Sequence, residues 1–168
     1  MKFQGTLLPI GTLLARARAT DAGPAAGGEA HTSREVRHTA RGNARRCSEL
    51  IRRGEPLDSV WRFGILQTLD DYRSTVARGG VSLGAAVFDA EPAPTGSAEI
   101  DAAFAALAEY LAEQDGWRPP SWLTCGERVS GDWYPAVPDI FREEAEAFSP
   151  RAFRSRGIYI TPRSLARA

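Results

Sequence analysis

From Leu57 to Val76 the large apolar side chains Leu57, Trp61, Ile65, Leu69, Tyr72 and Val76 advance in steps of three or four, which places them on one face of a helix. Gly64 lies inside that stretch. A glycine there costs about 1 kcal/mol relative to alanine, so its presence predicts a helix packed closely against a neighbour. Upstream, Val36, Ala40, Cys47, Leu50 and Ile51 recur at helical intervals, and Thr32 and Glu35 have the spacing of a capping box. This predicts a helix over residues 33–53. Gly54, Glu55 and Pro56 break it, Asp58 is the expected cap of the next helix, and two helices joined so briefly should run antiparallel. Further on, Ser97 is the expected cap of a third helix with Glu99 and Asp101 in its first turn. Ile100, Phe104, Leu107, Ala108 and Leu111 form its buried stripe and Gly116 its end.

Between these periodic segments the signals are of other kinds. Residues 79–96 read as a loop with an apolar anchor from Val81 to Phe88, and Trp117, Pro119, Pro120 and Trp122 as a rigid aromatic crossing followed by a polar turn. In the tail, Pro135 and Pro138 predict an extended run, Asp139 the cap of a short helix through Phe148, and Ser149 with Pro150 the start of another, through Arg156. This second helix should carry Ala152 and Phe153 inward and Arg151, Arg154 and Arg156 outward. Gly157 ends it before Ile158, Tyr159 and Ile160, a β-prone run expected as an edge strand with free backbone donors. Residues 21–30 hold glycine, alanine and one proline with no large apolar side chain. The predicted organisation is a flexible arm and linker over 1–31 and a single domain over 32–168. Its fold class is all-α, a small multi-helix bundle with a short extended segment near the C-terminus.

Composition narrows the function classes. With 43% apolar residues and four tryptophans in 168 residues, one domain with its own core is expected. Two cysteines, Cys47 and Cys125, are too few for a disulfide framework or a four-ligand zinc site, and the apolar run Leu7 to Leu14 is too short and interrupted to span a bilayer. A cytoplasmic protein without a membrane segment is therefore expected. The net charge is zero, yet residues 1–53 sum to +6, residues 54–148 to −11 and residues 149–168 to +5. Either the basic ends fold back on the acidic middle or they serve a charged partner.

Candidate chemistry is sparse. His38 and Cys47, nine residues apart on one predicted helix, would be separated by about 13 Å of rise and cannot form a nucleophile pair; His31 lies in the linker, and Cys125 reads as a packed small residue. Asp70 and Asp71 are adjacent and diverge by roughly 100° on a helix. They read, with Glu143, Glu144 and Glu146, as solvated faces. No Gly-rich phosphate loop, His-Glu-x-x-His or Gly-x-Ser-x-Gly occurs. No catalytic residue, cofactor site or metal site is expected, and the chain reads as a non-enzyme. Arg34, Arg37, Arg41, Arg45 and Arg52 fall near one face of the first helix, opposite its apolar stripe, an arrangement that could track a phosphate backbone. This gives the alternative function, a small nucleic-acid-binding regulator using the Arg34–Arg53 face.

The phrases RRGEPLDSVWRFGILQTLDDY, EPAPTGSAEIDAAFAALAEYLAEQDGW with RPPSW, and WYPAVPDIFREEAEAFSPRAFRSRGIYITPRSLARA occur in this order over residues 45–168. In that order the chain resembles the helical C-terminal domain of antitoxin-like proteins of high-GC bacteria, which often begin with a helix-turn-helix domain and are usually encoded beside a toxin, in many cases one resembling a nucleotidyltransferase. Residues 1–44 hold no recognisable helix-turn-helix unit. The resemblance implies an all-α domain that binds a cognate protein, and no catalytic residue is carried over. Trp133, Pro135, Phe148, Phe153, Arg154, Arg156, Gly157 and Leu165 match the family pattern as packing or contact residues. The expected partner-binding set is Arg151, Arg154, Arg156, Tyr159 and Trp133. The arginines would either dock an acidic surface or pair with Glu143, Glu144 and Glu146, and the second place to look for an interface is the outer face of the helix from Ser97 to Gln114.

Overall fold

The computed structural model describes residues 36–123 and 128–165, all within one compact unit, Arg34–Ala168. The expected arm and linker, the Thr32/Glu35 capping box, His31, Arg34 and Cys125 lie outside the described residues. Helix α1 spans Ala40–Arg52 and starts seven residues later than expected, because Thr39 is its cap: Thr39 is extended and its Oγ1 accepts from the Gly42 amide at 3.2 Å. The buried side of α1 is made of Ala40, Asn43, Ala44 and Cys47, all small enough for close approach. Gly54, at φ 77°, follows the helix.

The next rod comprises α2 (Leu57–Val60), a π-helical stretch (Trp61–Leu66) and α3 (Gln67–Gly79), with right-handed helical backbone at both junctions. Asp58 is not its cap. Pro56 holds that position, and the Asp58 carboxylate reaches across the chain to accept from the Ala136 amide at 2.9 Å. The apolar stripe is as predicted, with Trp61, Ile65, Leu69 and Tyr72 buried and Leu57 and Val76 packed against the core. Gly64 also behaves as predicted: a Cβ there would collide with Cys47 Sγ of α1. Asn43 donates to Thr68 Oγ1 at 2.9 Å and to Asp71 Oδ2 at 2.8 Å. Residues 43 and 47 of α1 thus meet residues 68 and 64 of the rod in reverse order, the antiparallel arrangement expected.

Residues 81–88 are helical rather than looped. Helix α4 (Val81–Ala85) and a 3-10 turn (Ala86–Phe88) fold back on α3, where Gly84 leaves room for Tyr72 and Val76, and Val87 and Phe88 are fully buried. The expected anchor is present in helical form.

Helix α5 (Ala98–Asp115) is the axis of the bundle. Ser97 caps it by accepting from the Ile100 amide at 3.3 Å, and Gly116 at φ 70° ends it. Instead of a stripe, every residue from Ala102 to Ala108 is buried, because alanines at 102, 103, 105, 106 and 108 let neighbours close in on all sides. The outer face proposed as a second interface is therefore confined to the helix ends. Two aromatic clusters brace the bundle. In the first, Phe88 stacks on Trp117 at 5.9 Å and Trp117 Nε1 donates to the Tyr72 hydroxyl at 3.0 Å, while Tyr72 donates to Asp115 at 2.5 Å. In the second, Trp61 meets Trp133 edge-on at 5.7 Å and Phe153 at 6.2 Å.

The tail comprises a 3-10 turn (Asp139–Phe141), α6 (Arg142–Phe148), α7 (Arg151–Arg154) and a final 3-10 turn (Pro162–Leu165). Both expected caps are displaced by prolines. Pro138 precedes the turn that Asp139 was to cap, and Asp139 pairs with Arg142 at 3.0 Å. Pro150 precedes α7, leaving Ser149 buried as a clamp whose Oγ donates to the Ile158 carbonyl at 3.1 Å and accepts from the Ile160 amide at 3.2 Å. Among the described residues there is no strand, only an isolated parallel bridge between Trp133 and Ile158. The all-α expectation holds.

Candidate functional site

The expected contact surface was the arginine-rich tail, and the structure separates its members. Arg156 is not outward: its side chain is 13% exposed, its Nη2 meets Glu109 of α5 at 2.8 Å and its Nη1 donates to the Arg128 carbonyl at 3.1 Å. Arg151 is exposed but bridges Glu109, at 2.8 Å, and Glu113, which together raise its pKa further. These carboxylates belong to α5, not to the Glu143–Glu146 cluster. Arg154 is exposed and forms no ion pair among the described residues.

Tyr159 and Trp133 hold the tail together. The Tyr159 amide donates to the Trp133 carbonyl at 2.8 Å, the Trp133 amide to the Gly157 carbonyl at 2.9 Å, and the Tyr159 ring stacks on Tyr134 at 5.1 Å. The amides of Ile158, Tyr159 and Ile160 are all engaged internally, by Phe153, Trp133 and Ser149, so the expected edge strand with free donors is absent. Gly157 is structural: it sits at φ 74°, and a Cβ there would stand 2.5 Å from the Ser130 carbonyl.

What the tail does expose is apolar. Ile140 is 83% and Phe148 67% exposed, and Phe141 is also exposed. Of the two expectations for Phe148, packing or contact, its exposure rules out packing in the core. Phe141 borders a cleft of ≈ 260 Å³ lined also by Ala136, Val137, Pro138, Glu144, Thr161 and Arg163. A second cleft, with Trp61, Phe63 and Pro135, shares Ala136 and Ser164 with the first. Ala136 stands between them at φ 53°, a left-handed conformation that costs an alanine roughly 1–2 kcal/mol and is held here by the Asp58 carboxylate. Nothing in the sequence singles out Ile140 and Phe141, since the adjacent apolar pairs Val60 with Trp61 and Val87 with Phe88 are buried.

Of the groups weighed for catalysis, Cys47, Asp71 and Glu146 have structural roles. Cys47 is fully buried, and burial, then the Asp101 charge, push its thiol up to about 12, away from the reactive thiolate. Asp71 accepts from Asn43 and from Gln67 at 3.1 Å. Glu146 accepts from the Tyr134 hydroxyl at 2.7 Å, which raises that phenol to about 12, and the Arg142 guanidinium lies 4.9 Å over the same ring. Among the described residues no three His, Cys, Asp or Glu side chains gather as a metal site, and no helix is long and apolar enough to cross a membrane.

The two basic ends differ. In the tail, Arg151 and Arg156 reach carboxylates of the acidic middle. By contrast Arg37, Arg41, Arg45, Arg46, Arg52 and Arg53 are all exposed, and none forms an ion pair among the described residues. No known protein family, curated protein or solved structure matches the chain.

Proposed function

We propose that this chain is a non-enzymatic, partner-binding protein of the antitoxin-like kind, which neutralises a cognate toxin in the bacterial cytoplasm by protein-protein contact. The observation that carries the reading is the exposure of Ile140, Phe141 and Phe148 on one ten-residue segment, Asp139–Phe148. Large apolar side chains concentrated at a surface, with polar residues around them, are the usual mark of a protein interface. On the same segment Asp139, which pairs with Arg142, and Glu143, Glu144 and Glu146 leave the rim net acidic, so the fitting partner presents an apolar surface with basic residues at its edge. The resemblance of the tail to antitoxin-like domains supplies the class of partner, a toxin of the nucleotidyltransferase-like type. Arg154, on the neighbouring helix α7, is the member of the expected arginine set best placed to contribute. Arg151, at the surface, and Arg156, largely buried, are both engaged by carboxylates of α5.

The test is co-expression with the product of the adjacent reading frame, with a tag on one chain only. Co-elution at micromolar concentration is expected, and Ile140→Asp with Phe148→Asp should abolish it while leaving the helical circular dichroism unchanged. Separate elution of the two wild-type chains contradicts the reading.

A further inference from the structure

We propose that the outer face of α1, together with Phe63, binds single-stranded nucleic acid. The arginines of this surface lie on α1, away from the tail segment, while Phe63 also borders the second of the two clefts described above. The first component is charge. Six exposed arginines lie between residues 37 and 53 against one acidic side chain, Glu49. Arg41, Arg45 and Arg52 follow the helical repeat, so the row extends over about 16 Å at 1.5 Å per residue. Unlike Arg151 and Arg156, these have no carboxylate within ion-pair distance among the described residues.

The second component is an aromatic ring. Phe63 is 61% exposed, and it borders a cleft of ≈ 500 Å³ that Arg46, Glu49, Leu50, Arg53 and Gln67 complete. Phe63 sits two residues from both Trp61 and Ile65, off the apolar stripe, in the π-helical stretch; such local widenings of a helix recur at functional positions. A bare ring flanked by guanidinium groups provides what an unpaired nucleotide requires, a platform for the face of the base and cations for the phosphates on either side. A duplex conceals its base faces. Arginines on a helix can read guanine edges in a major groove, but a duplex offers the Phe63 ring no base face to stack on. The chemistry therefore favours a single strand bound with little sequence preference.

The experiment is fluorescence anisotropy of the full chain with end-labelled 20-nucleotide dT and U strands and a 20-base-pair duplex, at 50 and 200 mM NaCl. The single strands should bind more tightly than the duplex. With four phosphates engaged, affinity should fall about 50-fold between the two salts. Phe63→Ala, and Phe63→Leu as a variant that retains apolar bulk, should each weaken single-strand binding by roughly tenfold or more without changing the salt slope. Arg41→Gln with Arg45→Gln should reduce that slope by about 1.4. Tighter binding of U or of dT identifies RNA or DNA as the natural class. The proposal is overturned if no salt-dependent binding occurs at micromolar protein, if the duplex binds equally and both Phe63 variants are silent, or if polyglutamate competes as well as the strands.

Discussion

Two arginine-rich regions, α1 and the tail, differ in how their arginines are held: Arg151 and Arg156 of the tail are paired, and those of α1, like Arg154, form no ion pair among the described residues. In the tail, Arg156 is screened from water and fixed to Glu109 at 2.8 Å, with Arg151 on the same carboxylate. On α1 the arginines stand in water with no ion pair among the described residues. The difference lies in what each helix packs against. Helix α7 packs against α5, which carries Glu109 and Glu113, whereas α1 meets the rod through Asn43, Cys47 and Gly64, leaving its arginines exposed. Local charge density therefore does not tell whether a basic helix is structural or available. Its partners across the fold decide that.

The strongest way to break this contrast is Arg156→Glu. It removes the cation from a largely buried pair and places a second carboxylate beside Glu109. Buried pairs broken in this way lose 3–5 kcal/mol, and the partial exposure here reduces the expectation to about 3 kcal/mol, or roughly 6–12 °C in melting temperature. A shift below about 2 °C would place Arg156 with the surface arginines. Next is the seam that orients α1. Gly64→Ala should cost about 2 kcal/mol by driving a methyl group into Cys47 Sγ, and Cys47→Ala in the same chain should recover most of that loss, as read from urea midpoints. Additive losses would show that α1 and the rod are not held in this register.

Alkaline titration sharpens the picture of that seam. The Cys47 thiol is raised from 9.0 to about 12 and the Tyr72 phenol is also raised, so the folded state keeps protons that the unfolded chain releases. Their contribution to stability is complete below pH 9 and is lost as pH rises from 9 toward 12, at about 1.4 kcal/mol per pH unit for each ionised group. Urea midpoints should fall from pH 9 upward, and Cys47→Ala should flatten the first part of the decline, between pH 9 and 10. The smallest expected effect belongs to α1: Arg41→Glu with Arg52→Glu should leave the melting temperature within about 2 °C, because exposed charges contribute little.

Periodicity made most of the architecture legible. The stripe from Leu57 to Val76, the Ser97 cap and the close approach at Gly64 all follow from spacing and glycine chemistry. The errors at Asp58, Asp139 and Ser149 share one cause. Each stands within two residues of a proline that takes the capping position, Pro56, Pro138 or Pro150, and the freed side chain makes another contact. The tail surface was less legible because its polarity depends on contacts distant in sequence. Glu109 lies 47 residues from Arg156, and nothing local distinguishes the buried Phe153 from the exposed Phe148.

The measurement that tests the contrast most directly is a double-mutant cycle on Arg156 and Glu109, with Gln at each position, run beside a second cycle on Arg45 and Glu109. Unfolding free energies from urea titration should show a coupling of at least about 1 kcal/mol for the first pair, and additivity within about 0.5 kcal/mol for the second. Additivity in the first cycle, or comparable coupling in the second, would contradict the division between a structural and an available set of arginines.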